Sequence, residues 1–144
     1  MSKLLARRPH RDLHLNERLS RYLSEGVVER NGFVLLKTEM DSAGNYSSPA
    51  HFDETGYECL VNHIHIDPKN PDDTSQLDQG FTFANRLAEL LQGSGYQGRF
   101  RIILSYGLDD KVCTVRFHRM REGQSWLHES LEAYKREAIL VLDC

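Results

Sequence analysis

The stretch from Arg99 to Phe117, Arg-Phe-Arg-Ile-Ile-Leu-Ser-Tyr-Gly-Leu-Asp-Asp-Lys-Val-Cys-Thr-Val-Arg-Phe, decides the architecture. Side chains alternate between the two faces of a strand, so Phe100, Ile102, Leu104 and Tyr106 fall on one side and Arg99, Arg101 and Ser105 on the other. Cys113, Val115 and Phe117 repeat the pattern opposite Thr114, Arg116 and His118. Gly107-Leu-Asp-Asp110 between the two runs is turn chemistry, and the pair reads as an antiparallel hairpin with one apolar face.

Upstream of the hairpin, Leu77, Phe81, Ala84, Leu87, Ala88 and Leu91 recur at spacings of three and four. That is an amphipathic helix, with Ser75 as its cap and Gly93-Ser-Gly95 as its stop. Tyr57 to Ile66 reads as a strand with Leu60, Asn62, Ile64 and Ile66 on one face and Tyr57, Cys59, Val61, His63 and His65 on the other. Phe33 to Glu39, bounded by Asn31-Gly32 and by Asp41-Ser-Ala-Gly-Asn, predicts a first strand. A short helix over residues 13–24 precedes it, capped by Asn16 and stopped by Gly26. Downstream, Trp126, Leu127, Leu131 and Tyr134 predict a last helix from Ser125 to Lys135, which leads into the apolar strand Ala138-Ile-Leu-Val-Leu142, able to lie parallel to a neighbour.

The expected fold is α+β in two layers. It has a mainly antiparallel sheet of about five strands and about three helices in the order α-β-β-α-β-β-α-β. Residues 1–12, with Lys3, Arg7, Arg8 and Arg11 against Asp12, form a basic arm, and residues 13–144 a single domain. No apolar run approaches the ~20 residues that span a bilayer, and the basic start lacks a long apolar segment, which places the protein in the cytoplasm. Cys59, Cys113 and Cys144 are an odd set without C-x-x-C spacing, neither a disulfide framework nor a zinc knuckle.

Charge is distributed unevenly. Between Glu39 and Asp78 nine acidic residues meet one lysine, a net −8 in a chain of net −3, so the remainder carries +5. Such polarity speaks of partners and encounter rates rather than of fold. Asp67, Asp72, Asp73 and Asp78 have local reasons to be acidic, through turns and a helix start. Asp53, Glu54 and Glu58, beside His51, have none.

Four groups of residues could carry chemistry. His63 and His65, two apart in a strand, send both rings to one face and would suit a metal if His51, Asp53 or Glu58 converged on them. Paired histidines on one sheet face are more often surface or rim residues, or hydrogen-bonded partners of acidic loops. His51 or His118 with a carboxylate would make an acid/base pair, yet no spacing demands it. Phosphate-loop and nucleophile-elbow motifs are absent. The arginines at 99, 101, 116, 119 and 121 with Lys111 suggest single-strand nucleic-acid binding. Alternation argues against it, because Phe117 points with Cys113 and Val115, away from Arg116.

Size, mild acidity and layout together resemble the immunity proteins of contact-dependent growth inhibition and related polymorphic toxin systems. The resemblance is clearest from Phe81 onward, through Trp126-Leu-His-Glu-Ser-Leu-Glu-Ala-Tyr134 and Glu137-Ala-Ile-Leu-Val-Leu-Asp143. It implies a cofactor-free, non-enzymatic inhibitor of one toxin domain, commonly a nuclease with a basic surface. No residue role carries over from it. The charge pattern nominates the partner-binding set: His51, Asp53, Glu54, Glu58, Asp67, Asp72 and Asp73. A metal-dependent hydrolase built on His63 and His65 is the alternative from another class, and a secretion chaperone the alternative among binding proteins.

Overall fold

The computed structural model describes residues 14–40, 53–67, 75–128, 130 and 133–144. The expected basic arm and the candidates His51, Asp72 and Asp73 lie outside them.

Helix α1, Glu17–Glu25, starts where Asn16 accepts a hydrogen bond from Leu19 N at 2.9 Å. It ends at Gly26, whose φ of 77° is easy only without a Cβ. Strands β1, Val27–Arg30, and β2, Phe33–Leu36, then form a separate two-stranded antiparallel sheet. Asn31 and Gly32 join them at φ 53° and 82°, both positive as a tight two-residue hairpin requires. The sequence places only the second of these strands, and runs it to Glu39. In the structure Lys37–Glu39 is a turn of 3₁₀ helix.

The strand expected from Tyr57 to Ile66 divides. Its first half belongs to helix α2, Glu54–Val61, and only His63–Ile66 forms strand β3. Asp53 caps the helix by accepting from Gly56 N at 2.7 Å, and Thr55, Glu58, Cys59 and Val61 bury a face of helical spacing. A β-prone run thus yields to a cap and a tertiary surface, as short apolar segments often do. Asn62 ends α2 with its own backbone outside the helical region.

Helix α3, Ser75–Gly93, lies across the inner face of the principal sheet. Approach is closest at Gly80, where a Cβ would sit 2.8 Å from Leu104 Cδ1. The sheet comprises β3, then β4, Phe100–Gly107, β5, Cys113–Arg119, and β6, Glu137–Asp143, in the order β3-β5-β4-β6 with every pair antiparallel. The last strand accordingly lies antiparallel to β4, where a parallel neighbour was possible. Phe100, Ile102, Leu104, Cys113, Val115 and Phe117 all face the core, as their alternation requires.

The class and the antiparallel layout are those expected, with three α-helices and six strands among the described residues, in sheets of two and four. No α-helix forms among the described residues of the segment from Ser125 to Lys135; Trp126, Leu127 and Tyr134 lie over the outer face of the sheet. Trp126 there packs under the Arg116 guanidinium, 4.9 Å from ring centroid to Cζ, and Tyr134 OH accepts from His128 N at 2.9 Å. Anchoring on the sheet replaces helical packing for these apolar side chains.

Candidate functional site

Two regions hold the sequence-nominated residues: the start of α2 and the outer face of the principal sheet. At the first, Asp53 and Glu54 are exposed. Asp53 is held by a backbone N–H, and Glu54 accepts from Gln124 Nε2 at 2.5 Å. Gln124 Oε1 in turn accepts from Thr55 N and Oγ1, which fastens the helix start to the chain beyond β5. The Gln124 bond holds the Glu54 carboxyl below its ordinary range. Both side chains stand at the surface, bonded to neutral donors.

Glu58 is elsewhere. Nominated as a surface acid, it has a side chain with no exposure at all. Its Oε2 accepts from Val34 N at 2.8 Å, and its Oε1 from Arg119 N at 3.1 Å and Arg121 Nη1 at 2.5 Å. Asn62 completes the arrangement, accepting from Leu36 N at 2.8 Å and donating to Val34 O at 2.9 Å and Phe117 O at 3.3 Å. Two polar side chains of one short segment thus satisfy the free edge of β2 and tie the small sheet to the large one. A buried carboxylate so fully bonded is structural, and it leaves the partner-binding set. Asp67 remains at the surface, in an ion pair with Arg18 at 3.0 Å.

Several cations that suggested nucleic-acid binding are neutralised within the molecule. Arg119 pairs with Glu29, Arg121 with Glu58, and Arg101 with both oxygens of Asp143 at 2.7 and 2.8 Å. Paired in this way, they form no open cationic track.

On the outer sheet face the strand register builds rows. His63 on β3 stands opposite Arg116 on β5, which stands opposite Ile103 on β4; the next row is His65, Thr114 and Ser105. The imidazoles of His63 and His65 lie 4.4 Å apart between centroids, on one face as alternation requires. Burial first, then the Arg116 cation and His65, push His63 down to about 4, so it is neutral at physiological pH. Among the described residues no group of three His, Cys, Asp or Glu converges as metal ligands. The nearest strong charge, Arg116, would repel a divalent cation.

Over these rows Trp126, Leu127 and Tyr134 cover a cavity of about 360 Å³, with Ile139, Trp126 and Leu127 on its apolar side and His63, His65, Arg116, Ser105, Thr114, Asp110 and Glu137 among its polar lining. Ser105 and Thr114 share a hydroxyl–hydroxyl bond of 2.6 Å. Cys59, the one thiol near these groups, is buried, and burial pushes it up to about 12, which leaves no thiolate for chemistry.

A family model matches residues 1–144, the whole chain. The chain belongs to the Uncharacterized protein PM0498 family. No curated protein and no solved structure matches it. Membership thus brings the chain no assigned chemistry, and its reading rests on its own residues. Among the described residues no helix is long and apolar enough to cross a membrane.

The sequence nominated Asp53, Glu54 and Asp67 for the surface, and they are there; it also paired His63 with His65. It missed the enclosure of Arg116 and Trp126. The outward alternation of Arg116 was visible, but Trp126 read as part of a last helix. A signal was nonetheless present: the chain has a single tryptophan, in a segment whose helical repeat is short.

Proposed function

We propose that this protein is a non-enzymatic immunity protein that binds and neutralises a basic toxin domain in the cytoplasm. The observation that carries the reading is the pair Asp53 and Glu54: adjacent, exposed, and held by neutral donors rather than by a cation of their own. They belong to the segment of net −8, of which Glu58 and Asp67 are balanced by Arg121 and Arg18. Excess negative charge on one surface attracts the phosphate-binding face of a nuclease and speeds association with it.

The test separates charge from structure. Asp53→Asn keeps a side chain that caps helices well, and Glu54→Gln keeps an oxygen able to accept from Gln124. The partner to test is the product of the reading frame adjoining this gene, and cells producing it should survive only when this protein is co-produced. The double variant should bind the domain at least about tenfold more weakly, with a flatter dependence on salt. Unaltered affinity and salt slope in the double variant would remove Asp53 and Glu54 from the interface; failure of the unaltered protein to protect would sink the proposal itself.

A further inference from the structure

We propose that the cavity on the outer sheet face binds a small organic carboxylate, its anionic group on Arg116 and its apolar body against Trp126, Leu127 and Ile139. The proposal is independent of the inhibitory reading and concerns a different face of the molecule.

Three observations converge on it. The first is the charge at one end of the cavity. Arg116 is half-buried, and burial disfavours its charged form, yet a guanidinium stays protonated at any physiological pH. Among the described residues no carboxylate lies within ion-pair distance of it, whereas Arg101, Arg119 and Arg121 each have one. Of its five N–H groups, Nη1 donates to Cys59 O at 3.3 Å, and the ring of Trp126 supports the guanidinium plane. A half-buried guanidinium with no carboxylate in direct contact can take a ligand carboxylate through a two-pronged charge-assisted contact.

The second is a polar atom without a partner. His63 Nε2 is buried and unbonded, in the residue directly across from Arg116. Buried polar atoms rarely lack a protein partner, and one beside a cavity is a group that a ligand atom can engage. Ser105 and Thr114 add an adaptable pair of hydroxyls in the next row.

The third is shape and lining. A cavity of about 360 Å³ lies in the range of small-ligand sites, and its apolar side with a few convergent polar groups is their usual make-up. Glu137 on β6, opposite Gly107, and Asp110 line the cavity as well, and Glu137 acts electrostatically on Arg116 without an ion-pair contact to it. These two acids disfavour a second carboxylate on the ligand, which leaves a monoacid as the occupant.

Trp126 is the single tryptophan of the chain, so its fluorescence reports on this cavity alone. Titration of the full-length protein with benzoate should give a saturable change with a Kd of about 0.1 to 1 mM, as suits a fragment held by one ion pair. Benzamide, of the same shape without the charge, should bind at least about tenfold more weakly. Arg116→Gln, checked for native circular dichroism, should lose a similar factor, and Arg116→Lys should recover part of it. The indole N–H of Trp126 and the His63 ring protons should shift in NMR spectra along the same curve. No saturable response at about 20 mM, or benzamide binding as tightly as benzoate, would overturn the proposal. Inorganic phosphate matching benzoate would overturn its apolar half. The comparison of benzoate with benzamide uses the unaltered protein, so it decides the matter even if Arg116 variants do not fold.

Discussion

Glu58→Ala should destabilise this protein more than any surface substitution. The carboxylate has no exposure and accepts from Val34 N, Arg119 N and Arg121 Nη1. Truncation leaves two backbone N–H groups without acceptors, each worth about 1–3 kcal/mol when buried, and strands a guanidinium whose loss of a buried partner ordinarily costs about 3–5 kcal/mol. These are not additive. The Arg121 side chain is 17% exposed and can turn partly to water, so the whole is set at about 3–5 kcal/mol. Against a total stability of about 5–15 kcal/mol that is a large fraction. Urea unfolding followed by circular dichroism should show the midpoint falling by about 2 M with the slope unchanged. Glu58→Gln keeps one acceptor oxygen and should lose about half as much. A loss below about 1 kcal/mol for Glu58→Ala would refute the account of Glu58 and Asn62 as the tie between the two sheets.

Two further outcomes follow from the packing and the titrating groups. Gly80→Ala brings a Cβ to 2.8 Å from Leu104 Cδ1 and 3.2 Å from Cys113 Sγ, and overpacking of about 2 kcal/mol should outweigh the gain in helix propensity of about 1 kcal/mol. Gly93→Ala, with nothing within 4 Å, should be neutral or stabilising, and thermal melts of the two variants check the contrast. His63, lowered from 6.5 to about 4 chiefly by burial, is neutral in the folded protein where the unfolded chain takes up a proton. Stability present above pH 6.5 is therefore lost as pH falls towards 4, and His118, lowered by burial too, acts in the same direction. Replacing His63 by Gln should flatten stability against pH across that window, and doing so with His118 should flatten it further; an unchanged slope in the double variant would contradict the assignment.

Legibility followed the range of the forces involved. Helix α3 and the β4–β5 hairpin were readable because each carries an unbroken apolar period, set by local geometry and by one buried face. Segment 54–61 was not. Its alternation of Tyr57, Cys59 and Val61 fits a strand as well as a helix, and the choice fell to the Asp53 cap and to the packing of α2 on β5 and β2. Likewise the stretch around Trp126 has apolar residues at helical spacing, but the sheet face offered them a better surface than a helix of their own.

The sequence by itself determined the α+β class, the inward face of the hairpin and the concentration of negative charge between Glu39 and Asp78. These depend on composition and on periods of two and 3.6 residues. Only the tertiary structure decided which charges are available. Glu58 and Arg121 lie 63 positions apart and meet in the interior, while Asp53 and Glu54, a single turn of helix away, stay in water. Burying a charge is too costly to expect of any one acid, and it becomes tolerable only where donors from β2, β5 and Arg121 converge on the same two oxygens. Arg116 shows the converse: alternation set its direction, and the chain folded over it made the enclosure.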